Sequence, residues 1–139
     1  MSRSGYVDDM EDPLQLGRWR GRVASALRGK RGQKFLRDLR DALDAMPDKR
    51  LIKNELVTED GDVCALGCLG MARSVPGLKL IDPYEHDYLA NLFDVASCLI
   101  QEVEYENDEF LRETPEQRWE RMRKWCDAHI EERVEKQTQ

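Results

Sequence analysis

The sequence lacks the features that mark membrane-spanning and exported proteins. Its longest apolar run, residues 63–72, is ten residues long and includes two glycines, whereas a membrane span needs ~18 residues. The N-terminal stretch MSRSGYVDDMEDP is acidic, whereas a signal or transit peptide begins with basic residues. We therefore expect a cytoplasmic protein that does not bind a membrane.

Positive charge is also in deficit. Lys and Arg total 22 against 28 for Asp and Glu, which gives a net charge of −6 over 139 residues. The resulting field repels phosphate, so direct binding of nucleic acid is disfavoured. Apolar residues make up 40% of the chain, enough for one modest core. We predict a single domain over 1–139, with about 1–11 and 134–139 frayed.

Histidine is scarce, and the sequence contains no evident catalytic constellation. Neither His86 nor His129 lies at a spacing from serine or cysteine that indicates an activated nucleophile. We interpret His86 as solvated surface in the first turn of a helix. Asp60 and Asp62 are interpreted as turn residues, because the other ligands of an EF-hand loop are missing. These observations predict a protein that is not an enzyme and needs no cofactor.

The four cysteines leave two interpretations open. Cys64, Cys68 and Cys126, together with His129, offer the four ligands of a zinc site. The C-x3-C spacing departs from the usual C-x2-C knuckle, however, and the surrounding VCALGCLGMA is apolar. Reduced cysteine in such a segment packs as a small buried hydrophobe. We predict no metal site and keep zinc as the alternative.

Helix start signals occur at three places. In Asp12–Gln15, Asp82–Glu85 and Thr114–Gln117 a capping residue precedes proline, with Glu or Gln two residues further on, as at helix N-termini. Apolar residues recur at helical spacing behind each signal. Behind the second signal the apolar stripe runs from Leu89 to Val103 as one helix. A fourth helix is predicted between residues 33 and 46.

Residues 51–73 do not follow the helical period. Leu51–Ile52 and Glu55–Val57 are predicted to be extended before a turn at Glu59–Asp62, and Val63–Leu66 to return as a strand after it. Gly67 and Gly70 then fall in a short helix, where glycine lets another backbone approach closely. The predicted fold class is mainly α. We expect a compact bundle of four longer helices, with a short β-hairpin and a small Gly/Cys-rich helix in the middle.

Basic and acidic residues are segregated along the chain. Residues 18–37 contain eight basic residues and no acidic one, whereas residues 101–113 contain six acidic residues and one basic. The two segments could pair within one molecule, or across a two-fold axis in a homo-oligomer. Because exposed pairs of this kind add little stability, the segregation also permits an interpretation as a binding surface.

The basic segment includes a candidate anion site. Its predicted ligand-binding residues are Arg28, Gly29, Lys30, Arg31, Gly32, Gln33 and, on the preceding helix, Trp19. Glycines let backbone N–H groups turn toward one point, and the following helix adds its positive end. The cations donate charge-assisted hydrogen bonds to phosphate oxygens, and the indole could stack on a base. The segment is not a Walker loop, because it lacks the GK[ST] ending and a preceding strand.

Four stretches carry a likeness to known sequences. They are ALRGKRGQKFL (26–36), LDAMPDKRLI (43–52), GDVCALG (61–67) and ETPEQRWERMRKW (113–125). In these stretches the chain resembles a group of small proteins of unknown function encoded by tailed bacteriophages and prophages. The resemblance implies synthesis inside an infected bacterium, and it brings no known activity or site residues. It also implies a role in countering host defences or redirecting host machinery, by association with other small phage proteins.

Two functions follow as expectations. The first is a non-enzymatic binding protein that captures a phosphate-bearing small molecule, such as a nucleotide signal, at the basic segment. The alternative is an inhibitor or adaptor that docks on a host immune or nucleic-acid-handling protein. Its partner-binding residues would form an acidic face that mimics nucleic acid: Glu102, Glu104, Glu106, Asp108 and Glu109.

Overall fold

A computed structural model describes residues 3–5 and 13–131 and is mainly helical. The helices are α1 (Pro13–Arg28), α2 (Lys30–Ala45), α3 (Ala65–Ala72), α4 (His86–Phe93), α5 (Ser97–Asp108) and α6 (Pro115–His129), with a 3-10 turn at Leu78–Leu80. None of the helices in these ranges is both long and apolar enough to cross a membrane. The mainly α prediction is confirmed.

The first two helices meet at a sharp corner. Gly29 is extended between them, with φ −69° and ψ 165°, and α2 starts at the next residue. A Cβ on Gly32 would lie 1.9 Å from the backbone oxygen of Ala26, so only glycine lets α2 come this close to α1. The corner directs the apolar face of α2, including Phe35 and Leu39, into the core.

The predicted β-hairpin is wrong. Within the described residues the only ladder pairing is an isolated antiparallel bridge between Val57 and Val63. The turn itself forms, with the N–H of Thr58 donating to the carbonyl of Asp62 at 2.9 Å. The N–H of Cys64 still donates to the carbonyl of Leu56 at 3.2 Å. The ladder does not continue further because Cys64 is the N-cap of α3, and its sulfur accepts from the N–H of Gly67. One bridge is too short to make a strand.

The predicted third helix is two helices. Asp94 adopts the left-handed region (φ 57°), which ends α4 and turns the chain before α5 begins at Ser97. Leu89 in α4 and Leu99 in α5 are both fully buried, so the apolar stripe continues across the break. The signal at Asp82 also starts no helix. Its carboxylate accepts from the N–H of Tyr84 at 2.9 Å, which is an Asx turn.

The start of α6 matches its sequence signal. The Thr114 hydroxyl accepts from the N–H of Gln117, and the Gln117 amide oxygen accepts from the N–H of Thr114. This capping box fixes the entry of α6 beside the chain before α3, where Arg118 donates to the carbonyl of Leu51 at 2.8 Å. Trp119 donates to the carbonyl of Leu43 at the end of α2, at 3.0 Å. The resulting layer of α2 and α6 supports the α1–α2 corner.

Candidate functional site

The predicted anion-binding segment is a helix corner, not a glycine-rich loop. Arg28 is the last residue of α1, Gly29 is the N-cap of α2, and Lys30 and Arg31 open α2. The backbone therefore does not form the expected nest of converging N–H groups. It presents instead the first turn of a 16-residue helix, whose free N–H groups and dipole favour negative charge.

Gln33 has a structural role that differs from the predicted one. Its side-chain amide is buried, donating to the carbonyls of Leu27 at 2.7 Å and His129 at 2.9 Å. Its amide oxygen accepts from the N–H of Glu131 at 2.8 Å. The residue thus ties the ends of α1 and α6 to α2, and it lines neither of the two cavities described below. The prediction that Gln33 contacts a ligand is corrected.

A cleft of about 400 Å³ lies beside the corner and is called the basic cleft below. It is lined by Arg22, Ser25, Ala26, Gly29, Lys30, Arg31, Gly32, Val95 and Ala96. Four of the predicted residues therefore share one cavity. The α1 residues that sequence reasoning missed recur back from Gly29 at i−3, i−4 and i−7, so helical periodicity could have identified them. Val95 and Ala96, in the connection between α4 and α5, also line the cleft. No local pattern in the sequence indicates that they lie there.

Positive potential in the basic cleft has two sources. Arg22, Lys30 and Arg31 supply three cations. The N-cap residues of α2 and α5, Gly29 and Ala96, also line the cleft, and neither provides a side-chain cap. Neither helix has an acidic residue in its first turn. Two positive helix ends and three cations therefore face one concavity.

One carboxylate of the protein reaches a cation of the basic cleft. Asp94 accepts from Arg31 at 3.2 Å, with both side chains more than half exposed. Exposed pairs of this kind are weak, so an arriving anion can displace the carboxylate. Among the described residues, Arg22 and Lys30 take part in no ion pair, and Arg22 lies over the indole of Trp19. Two of the three cations of the cleft therefore have no carboxylate partner within the described ranges, while Asp87 accepts from Ser97 at the start of α5.

The other two predicted residues lie on the opposite face of α1. Trp19 and Arg28 line a larger cavity of about 780 Å³, called the α1–α5 groove below. Its lining residues are Leu16, Trp19, Arg20, Val23, Ala24, Leu27 and Arg28 of α1, Glu102, Tyr105, Glu106 and Glu109 from α5 and its C-cap, and Ala128, His129, Ile130 and Glu131 at the end of α6. The predicted site is thus divided between two cavities, and Trp19 does not line the basic cleft.

The predicted acidic face is divided as well. Glu102, Glu106 and Glu109 line the α1–α5 groove, but Glu104 and Asp108 are buried on the other side of α5. A helix places residues two apart on different faces, so the five carboxylates do not form one surface. The prediction of one acidic face of five residues that mimics nucleic acid is therefore wrong. Three of the five, Glu102, Glu106 and Glu109, share one cavity.

Glu104 and Asp108 belong to a buried ionic cluster that the sequence did not indicate. Arg3 donates from two nitrogens to the Asp108 carboxylate at 2.6 and 2.9 Å, and its Nε lies 4.0 Å from Glu104. His86 Nε2 lies 2.8 Å from Glu104 and 2.6 Å from the carbonyl oxygen of Arg3. His86 is therefore not solvated surface. Residues 3–5 are packed against α4 and α5 where fraying was predicted, and the rest of the first eleven residues lies outside the described ranges.

Burial changes the protonation of one carboxyl group in this cluster. Desolvation raises the pKa of Glu104 to about 8, and the neighbouring Asp108 charge adds to the rise while Arg3 opposes it. One guanidinium faces two carboxylates, so the carboxylate without a bidentate partner retains its proton most readily.

The cysteines do not form a metal site. No group of three or more histidine, cysteine or acidic side chains that could hold a metal ion exists in residues 3–5 and 13–131. Cys64 and Cys126 are fully buried, and Cys68 nearly so. Burial raises the pKa of both Cys68 and Cys126 to about 12, so these thiols stay protonated and pack as apolar groups. Cys64, Cys68, Cys126 and His129 are therefore not brought together as the four ligands of a zinc site.

Comparison with known proteins adds no assignment. No protein-family model, no curated protein and no solved structure matches the chain.

Proposed function

We propose that this protein is a phage-encoded, non-enzymatic binding protein that captures a phosphate-bearing small molecule, such as a nucleotide signal, in the basic cleft. Capture would deprive host defence or host machinery of that molecule. The observation that carries the proposal is the meeting of two uncapped helix N-termini with Arg22, Lys30 and Arg31 in one concavity. Sequence resemblance to phage proteins supports the biological setting.

The chemistry of the basic cleft suits phosphate. Guanidinium groups donate paired hydrogen bonds to phosphate oxygens, and the ammonium of Lys30 adds a point charge. The Ser25 hydroxyl, also in the lining, offers a neutral donor. The volume of about 400 Å³ lies near the lower end of the range for small-molecule sites, ~300–1,000 Å³. A phosphate group with part of a nucleoside fits this size.

The lining of the cleft favours binding over catalysis. Among the described residues that line it, none is histidine, cysteine, aspartate or glutamate. The lining therefore offers donors for an anion, and the nearest carboxylate named above, Asp94, lies outside the lining and is paired with Arg31. This composition supports a protein that holds its ligand unchanged.

The test is binding of pyrophosphate and of mono-, di- and cyclic nucleotides, measured by thermal shift and isothermal titration calorimetry. Native mass spectrometry of freshly purified protein reports any retained small molecule. We expect a stabilising shift with at least one compound. A triple variant, Arg22→Ala, Lys30→Ala and Arg31→Ala, should bind at least ~100-fold more weakly, because each charge-assisted hydrogen bond contributes roughly 1.5–3 kcal/mol.

The matched control removes three cations elsewhere. Lys53, Lys79 and Lys124 are exposed and line neither cavity, so the Lys53→Ala, Lys79→Ala and Lys124→Ala variant loses the same net charge. It should bind within about threefold of the wild type, since distant exposed charges are screened by salt. No shift of the wild type with any compound, or an equal loss of affinity in both triple variants, overturns the proposal.

A further inference from the structure

Residues 3–5, called the strap below, are held on α4 and α5 by buried polar contacts. The side-chain amide of Gln101 in α5 donates to the carbonyl of Ser4 at 3.0 Å. The Nε2 of His86 in α4 lies 2.6 Å from the carbonyl oxygen of Arg3. Arg3 is 2% exposed and Ser4 is fully buried. The strap is therefore a short segment that contacts from two helices hold in place.

The charges beneath the strap do not balance. Arg3 gives its paired hydrogen bonds to Asp108 at 2.6 and 2.9 Å, whereas its Nε lies 4.0 Å from Glu104. The side chains of all three residues are at most 1% exposed. One buried guanidinium thus faces two buried carboxyl groups, and a neutral cluster needs one proton in addition.

Hydrogen bonding assigns that proton to Glu104. Asp108 accepts not only from Arg3 but also from the N–H of Asn54 at 3.1 Å and from the amide of Asn107 at 2.8 Å, and such donors favour the charged form. Both oxygens of Glu104 are buried, and neither accepts a hydrogen bond from a described residue. Burial also raises the pKa of Glu104. Ionised Glu104 would therefore be a buried charge without donors.

His86 connects the proton on Glu104 to the strap. Its Nε2 lies 2.8 Å from Oε1 of Glu104 as well as 2.6 Å from the carbonyl oxygen of Arg3. A carbonyl oxygen only accepts, so Nε2 carries the hydrogen of that bond. Neutral Glu104 leaves this N–H to the strap, whereas an ionised carboxylate competes for it. Cys64, at the N-cap of α3, also interacts electrostatically with Arg3 but supplies no cation.

We propose that the strap is a proton-controlled latch, closed on α4 and α5 while Glu104 is protonated and lifted when that proton is lost, with the helices still folded. Lifting three residues hydrates the carboxylate without separating the packed helices around it. Because the closed state binds the proton more tightly, the lifted population rises with pH. The strap lines neither cavity, so the latch does not depend on ligand capture in the basic cleft.

Trypsin cleavage after Arg3 measures the lifted population, since proteolysis follows the population of the opened state. The full-length protein is digested at pH 6 and at pH 8 together with the free peptide MSRSGYVD as an internal standard, and mass spectrometry gives both initial rates. The ratio of the rates removes the pH dependence of trypsin itself. We expect the ratio to rise at least ~10-fold, because one bound proton changes the equilibrium up to tenfold per pH unit.

Charge variants test the assignment to Glu104. In Glu104→Gln, which cannot ionise, the ratio should change less than twofold, and circular dichroism checks that this variant is folded. Glu109→Gln, at an exposed position, is the matched control and should behave as the wild type. A wild-type ratio that does not change with pH overturns the latch whatever the variants do. A rise that persists in folded Glu104→Gln overturns it as well.

Cleavage after Arg118 distinguishes lifting of the strap from unfolding of the whole protein. Arg118 is 4% exposed in α6 and donates to the carbonyl of Leu51 at 2.8 Å, so trypsin reaches it only after α6 unfolds. Each rate is divided by that of a free peptide of the same local sequence. At pH 8 we expect cleavage after Arg3 to be at least ~10-fold faster than cleavage after Arg118. Equal rates show that the fold opens as one unit, which contradicts a local latch.

Discussion

At the scale of single residues, Asp94 has an unusual position beside the basic cleft. It is the carboxylate that pairs with Arg31, at 3.2 Å, and its backbone is left-handed with φ 57°. Asparagine tolerates this conformation and removes the charge. We predict that Asp94→Asn binds pyrophosphate about 3–10-fold more tightly, because one negative charge leaves the cleft. Calorimetry measures the affinity; Asp82→Asn, an exposed change at a residue outside both cavities, is the control. Unchanged affinity contradicts the electrostatic account of the cleft.

Gly32 is the residue on which the α1–α2 corner depends. An added Cβ would lie 1.9 Å from the backbone oxygen of Ala26 and 3.1 Å from that of Leu27, and backbone atoms cannot move aside cheaply. We predict that Gly32→Ala lowers the free energy of unfolding by about 2–4 kcal/mol, through strain and displaced helices. Urea denaturation measures the change.

The control for this prediction is Gly21, a glycine of α1. Gly21 has no neighbour within 4 Å of its ideal Cβ position. Gly21→Ala should therefore raise the free energy of unfolding by about 0.5–1 kcal/mol, because alanine is the better helix former. If the two substitutions have the same sign, close packing at Gly32 is not what fixes the corner.

The sequence identifies part of the candidate site, and the reason is locality. Lys30 and Arg31, two of the predicted ligand-binding residues, both line the basic cleft, because cations beside a helix start are a local pattern. Gln33 was assigned to the ligand, whereas its partners on α1 and beyond α6 come from the folded arrangement. Arg3 and Asp108 are 105 positions apart. Neither residue carries a local signal that it is buried with the other.

At the scale of helices and turns, predictions that depend on a complete local signal are confirmed, and those that depend on the folded arrangement are wrong. The capping box at Thr114–Gln117 is complete within four residues and was recognised. The break between α4 and α5 depends on one left-handed residue, Asp94, while the apolar stripe continues on both sides. The hairpin prediction is wrong although its local signal is correct. The turn forms at Thr58–Asp62, but the segment after it becomes α3, which packs in the core, and does not form a strand.

The capping box gives a prediction at this scale. Thr114→Ala removes the oxygen that accepts from the N–H of Gln117 at 3.1 Å, so this N–H in the first turn of α6 loses its acceptor. The free energy of unfolding should fall by about 1 kcal/mol. Thr114→Ser keeps the hydroxyl and should retain most of the stability. Urea denaturation compares the two variants, and a serine variant as unstable as the alanine variant shows that the methyl group, and not the cap, matters.

At the scale of the whole molecule, the two cavities beside α1 differ in the charges that line them. Cations face the basic cleft, and carboxylates dominate the α1–α5 groove. The net charge of −6 therefore conceals a local site that attracts anions. Because exposed charges are screened beyond about 10 Å at 0.1 M salt, the cleft is governed by its own three cations and two helix ends. The proposed capture of a phosphate compound is therefore compatible with a net negative charge.

The buried cluster of Arg3, His86, Glu104 and Asp108 makes the stability of the whole fold depend on pH. Burial raises the pKa of Glu104 from 4.5 to about 8, so between these values the folded protein binds a proton that the unfolded chain has released. Stability must therefore decrease as pH rises from about 4.5 to 8. We predict that urea denaturation gives a free energy of unfolding several kcal/mol lower at pH 8 than at pH 5, since each pKa unit corresponds to about 1.4 kcal/mol.

In Glu104→Gln, which cannot ionise, this decline should be largely absent. Glu109→Gln, at an exposed position, should follow the wild type. A wild-type profile that is flat over this range shows that folding takes up no proton there and contradicts the prediction. A decline that persists in Glu104→Gln places the proton on a different group.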